Sequence, residues 1–242
     1  MRAAVGLLAL VLVPAVARAQ GGNMAATPLA VDLKKAALGS WAEYSMKAGE
    51  RTGKLKWSLV GRDGENHTLE MQMEGAMPPG APSPMTVQMS LVPNPTASSK
   101  PVKRLVMQMG QMDPMEMPLD MPQMQEQRFQ KPDPKKLVGK ETIKVSAGSF
   151  STGHYRDTVN QGTIDVWVSE TIPPLGLVKM TMTPKAGPGG MAIELTGKGT
   201  GAKPAITKPA KPFDPAMFGM PGGGAPPPSP PSKPAAPPPA KK

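Results

Sequence analysis

Between Thr163 and Ser169, Ile164, Val166 and Val168 alternate with Thr163, Asp165, Trp167 and Ser169, and a period of two marks a strand with two unlike faces. The same signature is read over Lys140–Ala147, Ser149–Arg156 and Leu177–Thr183. Earlier in the chain it recurs over Ser40–Ala48, Lys54–Val60, His67–Glu74, Met85–Val92 and Val102–Met109, and Gly190–Gly197 adds a last run. The breaks are turns, among them Gly49-Glu50-Arg51, Arg62-Asp63-Gly64, Ala147-Gly148, Asn160-Gln161-Gly162 and Pro173-Pro174-Leu175-Gly176. None of these leaves room for a crossover helix, so neighbouring strands run antiparallel as a meander, and a parallel βαβ arrangement is excluded. About nine or ten such strands form a sheet long enough to curl or split rather than lie flat. Half-barrel, closed barrel and sandwich all satisfy the pattern.

The wording of one stretch narrows the choice. Val-Ser-Ala-Gly-Ser-Phe-Ser-Thr from Val145, then Asp-Val-Trp-Val-Ser from Asp165 and Pro-Pro-Leu-Gly-Leu-Val-Lys from Pro173, resembles the strand-turn-strand core of periplasmic half-barrel domains. Those domains are related in fold to the bacterial lipoprotein-localisation factors and to envelope domains of unknown function. The resemblance covers about Leu38 to Gly197 as architecture and Gly139 to Thr183 as wording. It implies a single curved antiparallel sheet with an apolar concave side, a half-barrel, and it carries over no functional residue.

Both ends of the chain read differently from this middle. Met1 to Ala19 has Arg2, an apolar run from Ala3 to Val13 and Ala17-Arg18-Ala19 before Gln20, the pattern of a secretory signal peptide cleaved after Ala19. The apolar run is well short of the ~20 residues that span a bilayer, so no transmembrane segment is expected after cleavage. With no Cys there is neither a disulfide scaffold nor a lipid-modified cysteine. A periplasmic or secreted protein is expected. Gln20 to Thr27 reads as a leader, and 28–201 as the folded domain. Within Pro28 to Leu38, Leu29, Leu33, Ala36 and Ala37 fall at helical spacing, which predicts a short N-terminal helix ended by Gly39. The segment 202–242 holds 14 Pro and the triplet Gly222 to Gly224, and reads as a disordered, basic, Pro-rich tail.

Much of the net charge of +10 belongs to these ends. Arg2 and Arg18 leave with the signal peptide, and six Lys against one Asp from Lys203 onward leave the domain only weakly basic. Nucleic acid is therefore not an expected partner, since that function needs Lys and Arg concentrated on a folded element beside stacking aromatics. The tail itself suits an anionic envelope surface or a protein partner.

Methionine is the unusual residue. The chain has 20 Met against nine aromatic residues, so the core-facing side of the strands is soft and polarizable. Trp57, Leu69, Met71, Met73, Met89 and Met107 are the expected lining of a concave site for a lipid or lipoprotein acyl chain. Residues 110–134, broken by Pro114, Pro118, Pro122, Pro132 and Pro134, read as a Met- and Pro-rich flap over it. The same side chains packed as a plain core satisfy the sequence equally well. A third reading takes Met109, Met112, Met115, Met117, Met121 and Met124 as soft thioether ligands for copper(I).

No cofactor is expected, and no enzyme. Ser149, Ser151, His154 and Asp157 contain the residue types of a nucleophilic set, but Ser151 and His154 lie three apart and point to opposite faces of a strand. Glu70 and Glu74 are about 14 Å apart along theirs, too far for paired-carboxylate chemistry, and read as a solvated face. His67 reads as an ordinary strand residue without the second ligand a zinc site needs.

Overall fold

A computed structural model describes residues 27–75, 82–92, 102–119, 129–159, 162–186 and 189–214. The expected signal peptide, the expected leader to residue 26 and the chain from 215 onward lie outside the described residues. All ten expected strands are present. They are β2 (Trp41–Ala48), β3 (Arg51–Asp63), β4 (Asn66–Gly75), β5 (Met85–Leu91), β6 (Val102–Met109), β9 (Leu137–Val145), β10 (Gly148–Val159), β11 (Gly162–Val168), β12 (Leu177–Pro184) and β13 (Met191–Gly199). Four two-residue strands complete the set: β1 (Thr27–Pro28), β7 (Met115–Glu116), β8 (Phe129–Gln130) and β14 (Lys211–Pro212).

Twelve of these form one open curved sheet in the order β14-β7-β6-β5-β4-β3-β2-β13-β12-β11-β10-β9. Two meanders, β2 to β7 and β9 to β13, are thus joined along β2 and β13. Every neighbour is antiparallel except β14, which runs parallel to β7 over Lys211↔Met115 and Pro212↔Glu116. The seam runs from Met191↔Ala48 to Gly199↔Trp41, with a bulge between Leu195 and Gly197. That bulge turns Gly197 and Gly199 to the side of Trp41, and a Cβ at Gly199 would stand 2.8 Å from the indole. The ring lies over the two glycines, donates Nε1–H to Thr200 O at 3.2 Å, and is capped by Lys56 Nζ at 4.9 Å.

The alternation read from the sequence sorts the faces. Ala42, Tyr44 and Met46 on β2, Leu55, Trp57 and Leu59 on β3, and Ile193 and Leu195 on β13 are buried on one side. Lys54, Lys56, Gln72, Glu74 and Lys179 occupy the other. No α-helix forms among the described residues, and Pro28 to Leu38 departs from the helical expectation. Pro28 is already paired with Gln130, Lys35 N and Ala36 N both return to Asp32 O in a single turn, and Gly39 N bonds Leu59 O across β3. The apolar spacing of Leu29, Leu33 and Ala36 instead belongs to a largely irregular segment pressed against the sheet, and all three are buried.

The other departure is in the tail. Residues 202–212 do not leave the domain: Ala202 N bonds Gly39 O at 2.9 Å, Ile206 is buried, and Lys211 N bonds Pro114 O at 2.8 Å. Glu70, expected to be solvated, is 1% exposed beneath this strap. Its carboxylate accepts from Gln72 Nε2 at 2.7 Å, Gln88 Nε2 at 2.8 Å and Ala205 N at 2.9 Å, so a polar strand position becomes the point to which the strap is fastened.

Candidate functional site

Register turns the apolar face of β3 to β7 into rows. Leu59 faces Leu69, which faces Met89 and then Leu105; Trp57 faces Met71, Val87, Met107 and Met115 in turn; Leu55 faces Met73, Met85 and Met109. The six expected lining residues, Trp57, Leu69, Met71, Met73, Met89 and Met107, therefore share one contiguous field. Directly opposed side chains in such rows stand about 5 Å apart, close enough to pack. Each of the six is at most 6% exposed.

What covers them is the chain itself. Phe129 on β8 meets Trp57 edge to face, ring centroids 6.0 Å apart at 86°. β8 is held in parallel register with β1, from which Leu29, Val31 and Leu33 continue as buried residues. At one end of the field Arg62 donates from Nη2 to Leu33 O at 2.9 Å and Ala36 O at 2.7 Å. At the other side Ala30 N bonds Leu175 O at 2.8 Å, within the turn that brings Ile172 and Leu175 to full burial. The covering segment 28–36 is thus attached at a two-residue ladder, one guanidinium and one turn.

The methionines of the copper reading are distributed differently. Met109, Met115 and Met117 are buried at the β6 and β7 end of the field, Met112 is half-buried in the turn after β6, and Met121 and Met124 lie outside the described residues. The described part of 110–134 is no free loop, because β7 and Phe129 are built into the domain.

Two polar atoms interrupt the apolar side. Ser40 Oγ, next to Leu59, and His67 Nε2, on the face of Leu69 and opposite Leu91, are the buried side-chain polar atoms with no hydrogen-bond partner among the described residues. The Nδ1 of His67 lies 3.2 Å from Glu65 O, and a carbonyl only accepts, so Nδ1 carries the proton and Nε2 is a bare acceptor in the neutral ring. Sequence reasoning read His67 as an ordinary strand residue and Ser40 as the start of a strand, since alternation gives a residue's face and not whether its polar atom finds a partner. Tyr44, buried at the centre of the sheet, satisfies its hydroxyl by donating to Leu177 O at 3.1 Å, and burial pushes its phenol far above the ordinary value.

The other titratable cluster is on the polar face of β9 to β12. His154 stacks on Trp167 at 4.4 Å and places Nε2 2.7 Å from Asp165 Oδ1 and Nδ1 3.2 Å from Glu141 Oε1. Arg156 Nε donates to the same Asp165 oxygen at 2.7 Å, and Trp167 Nε1 donates to Glu141 at 2.6 Å. Burial opposes the charge of Asp165, yet the hydrogen bonds from Arg156 and His154 outweigh it and hold its carboxyl below the usual value. Ser149 and Ser151 are on the opposite face of β10. The cluster rivets three strands together, and neither serine shares its face.

No family model matches the chain, and no curated protein matches it. Among solved structures it is similar to a hypothetical protein from Chlamydia trachomatis, at 12% identity and TM-score 0.43 over 73% of this chain and 94% of that one. A "putative lipoprotein" from Parabacteroides distasonis ATCC 8503 aligns at 11% identity and TM-score 0.35, over 73% of this chain and 100% of that one. A DUF1329 family protein from Desulfovibrio piger ATCC 29098 aligns at 10% and 0.31, over 74% and 88%.

Proposed function

We propose that this chain is an exported, non-catalytic envelope protein that holds an apolar ligand, the acyl chain of a lipid or lipoprotein, on the methionine-rich face of β3 to β7. One observation carries the reading: Met71, Met73, Met85, Met89, Met107 and Met109 form a single field whose cover, among the described residues, is the two-residue β1–β8 ladder and a largely irregular segment rather than a full second sheet or an α-helix. Unbranched thioether side chains repack around guests of varied shape at little cost, which a rigid aromatic or β-branched core does not. A bound chain would take the place of Phe129 and of Leu29 to Leu33, replacing one apolar contact with another, so that opening and loading nearly balance. Removal from water is worth about 25 cal/mol per Å² of apolar surface in either state. The signal-peptide pattern of Met1 to Ala19 supports the location, and the basic chain from 202 onward supports attachment to an anionic envelope surface.

The test is native mass spectrometry of the mature protein purified from its own cell envelope. A lipid-sized added mass that disappears on denaturation is expected. Bare polypeptide, or one or two copper masses in its place, would overturn the reading. Phe129→Ala sharpens the test, because it removes the ring from Trp57: uptake of a pyrene-labelled acyl chain should rise in this variant relative to wild type, even though truncating a buried Phe costs about 3–5 kcal/mol of stability.

A further inference from the structure

We infer that the apolar face contains a polar anchor, His67 Nε2, that accepts a hydrogen bond from the head of the bound ligand, and that the ligand is therefore an amphiphile carrying a hydroxyl or amide donor beside its acyl chain. The inference rests on the carrier reading above and deepens it.

A buried acceptor without a donor costs free energy, and protein interiors satisfy nearly all such groups. His67 is 2% exposed, shares its face of β4 with Leu69 and Met71, and stands opposite Leu91 on β5, so its ring belongs to the same side as the methionine field. Its Nδ1–H is engaged by Glu65 O, which fixes the ring so that Nε2 presents its lone pair to the apolar side. Ser40 Oγ, also fully buried and without a partner, stands at the same end, next to Leu59, which is itself opposite Leu69. Two orphaned polar atoms at one end of an otherwise apolar field match an elongated ligand with a polar head. Arg62 lies opposite His67 in the β3–β4 register and holds Leu33 O and Ala36 O, so the cover is fastened directly beside the anchor. The head would enter where the cover is tied, and the chain would run over Leu69, Met89 and Met71. A ligand head that only accepts, such as a methyl ester, gains nothing from Nε2. A hydroxyl donates to it without any change of charge.

The experiment compares monooleoylglycerol with methyl oleate, which share the acyl chain and differ in hydrogen-bond donors, titrated into the mature full-length protein below their aggregation concentrations. Wild type is expected to prefer monooleoylglycerol by about tenfold, the value of one hydrogen bond formed away from water. His67→Phe should abolish that preference and leave methyl oleate binding unchanged, and His67→Gln, which keeps an acceptor, should restore part of it. If both lipids bind wild type equally, or His67→Phe weakens both alike, the anchor is wrong and the carrier reading stands. If neither lipid binds wild type, the carrier reading falls and the anchor with it. The wild-type preference is read without any variant, so misfolding of His67→Phe does not remove the test.

Discussion

Asp165 shows how far a single side chain depends on register. Nothing in the spacing of His154, Arg156 and Asp165 brings them together. They meet because Arg156 and His154 stand across from Asp165 and Trp167 in the β10–β11 ladder. The folded-state carboxyl is held below its ordinary value, so its contribution is present above the unfolded value near pH 4 and is lost as the pH falls through the lower, folded one. Asp165→Asn should therefore lower the urea midpoint at pH 7, and the gap to wild type should narrow progressively below about pH 4. A gap that stays constant down to pH 2 would mean that the side chain contributes packing alone. Gly176 is the second residue whose environment decides its identity. Its φ is +84°, and an added Cβ would stand 2.6 Å from the Cβ of Ala30 in the covering segment. Gly176→Ala should cost about 1–3 kcal/mol and, by displacing Ala30, should raise uptake of a labelled acyl chain. Melting temperature and probe fluorescence measure the two effects separately.

At the level of elements, the alternation and the turn residues were sufficient to place all ten long strands within a few residues of their observed bounds, because most of these strands have one wet and one dry face and the exposed β9 is bounded by clear turn residues. The same reasoning misplaced two segments that lack this asymmetry. Leu29, Leu33 and Ala36 satisfy a helical period, but a helix there would have to give up the bonds that Pro28, Ala30 and Gly39 make to other parts of the chain. The strap at 202–212 was read as tail from its prolines, yet proline is no obstacle to an extended strap that is not ladder-bonded along its length. Its fastening, Glu70, looked like surface because a lone glutamate in a strand ordinarily is. Deleting 202–242 should strip Ala205 and Ile206 from Glu70 and Gln88, uncover a carboxylate that has lost its backbone donors, and lower stability by about 1.5–3 kcal/mol. Deleting only 215–242 should leave the melting temperature within a degree or two, and equal losses in both truncations would refute the strap.

For the whole molecule, the legible part was the strand inventory and the apolar lining. The illegible part was which strand closes the sheet. Two meanders could sit face to face as a sandwich or side by side, and alternation is the same in both. The decision lies in the pairing of Trp41–Ala48 with Met191–Gly199, residues far apart in the sequence. This seam makes a prediction about fragments: a chain nicked once between Leu119 and Phe129 should remain a single species in size-exclusion chromatography, since the eight paired positions from Ala48 to Trp41 hold the halves together. Separation of the two fragments without denaturant would show the seam to be too weak to organise the sheet.

The seam also imposes an order in time. The amino-terminal meander has an unsatisfied edge along Trp41–Ala48 until Met191–Gly199 arrives, and a chain that emerges from a ribosome or an export channel presents that partner as the last of the ten long strands. Through most of emergence the growing chain therefore displays an open strand beside a methionine-rich surface, the combination most prone to mispairing with a neighbour. Closure of so distant a contact is intrinsically slow. Completion of the sheet then waits for residues 200–212, whose strap fastens on Glu70 and ends in β14 against β7.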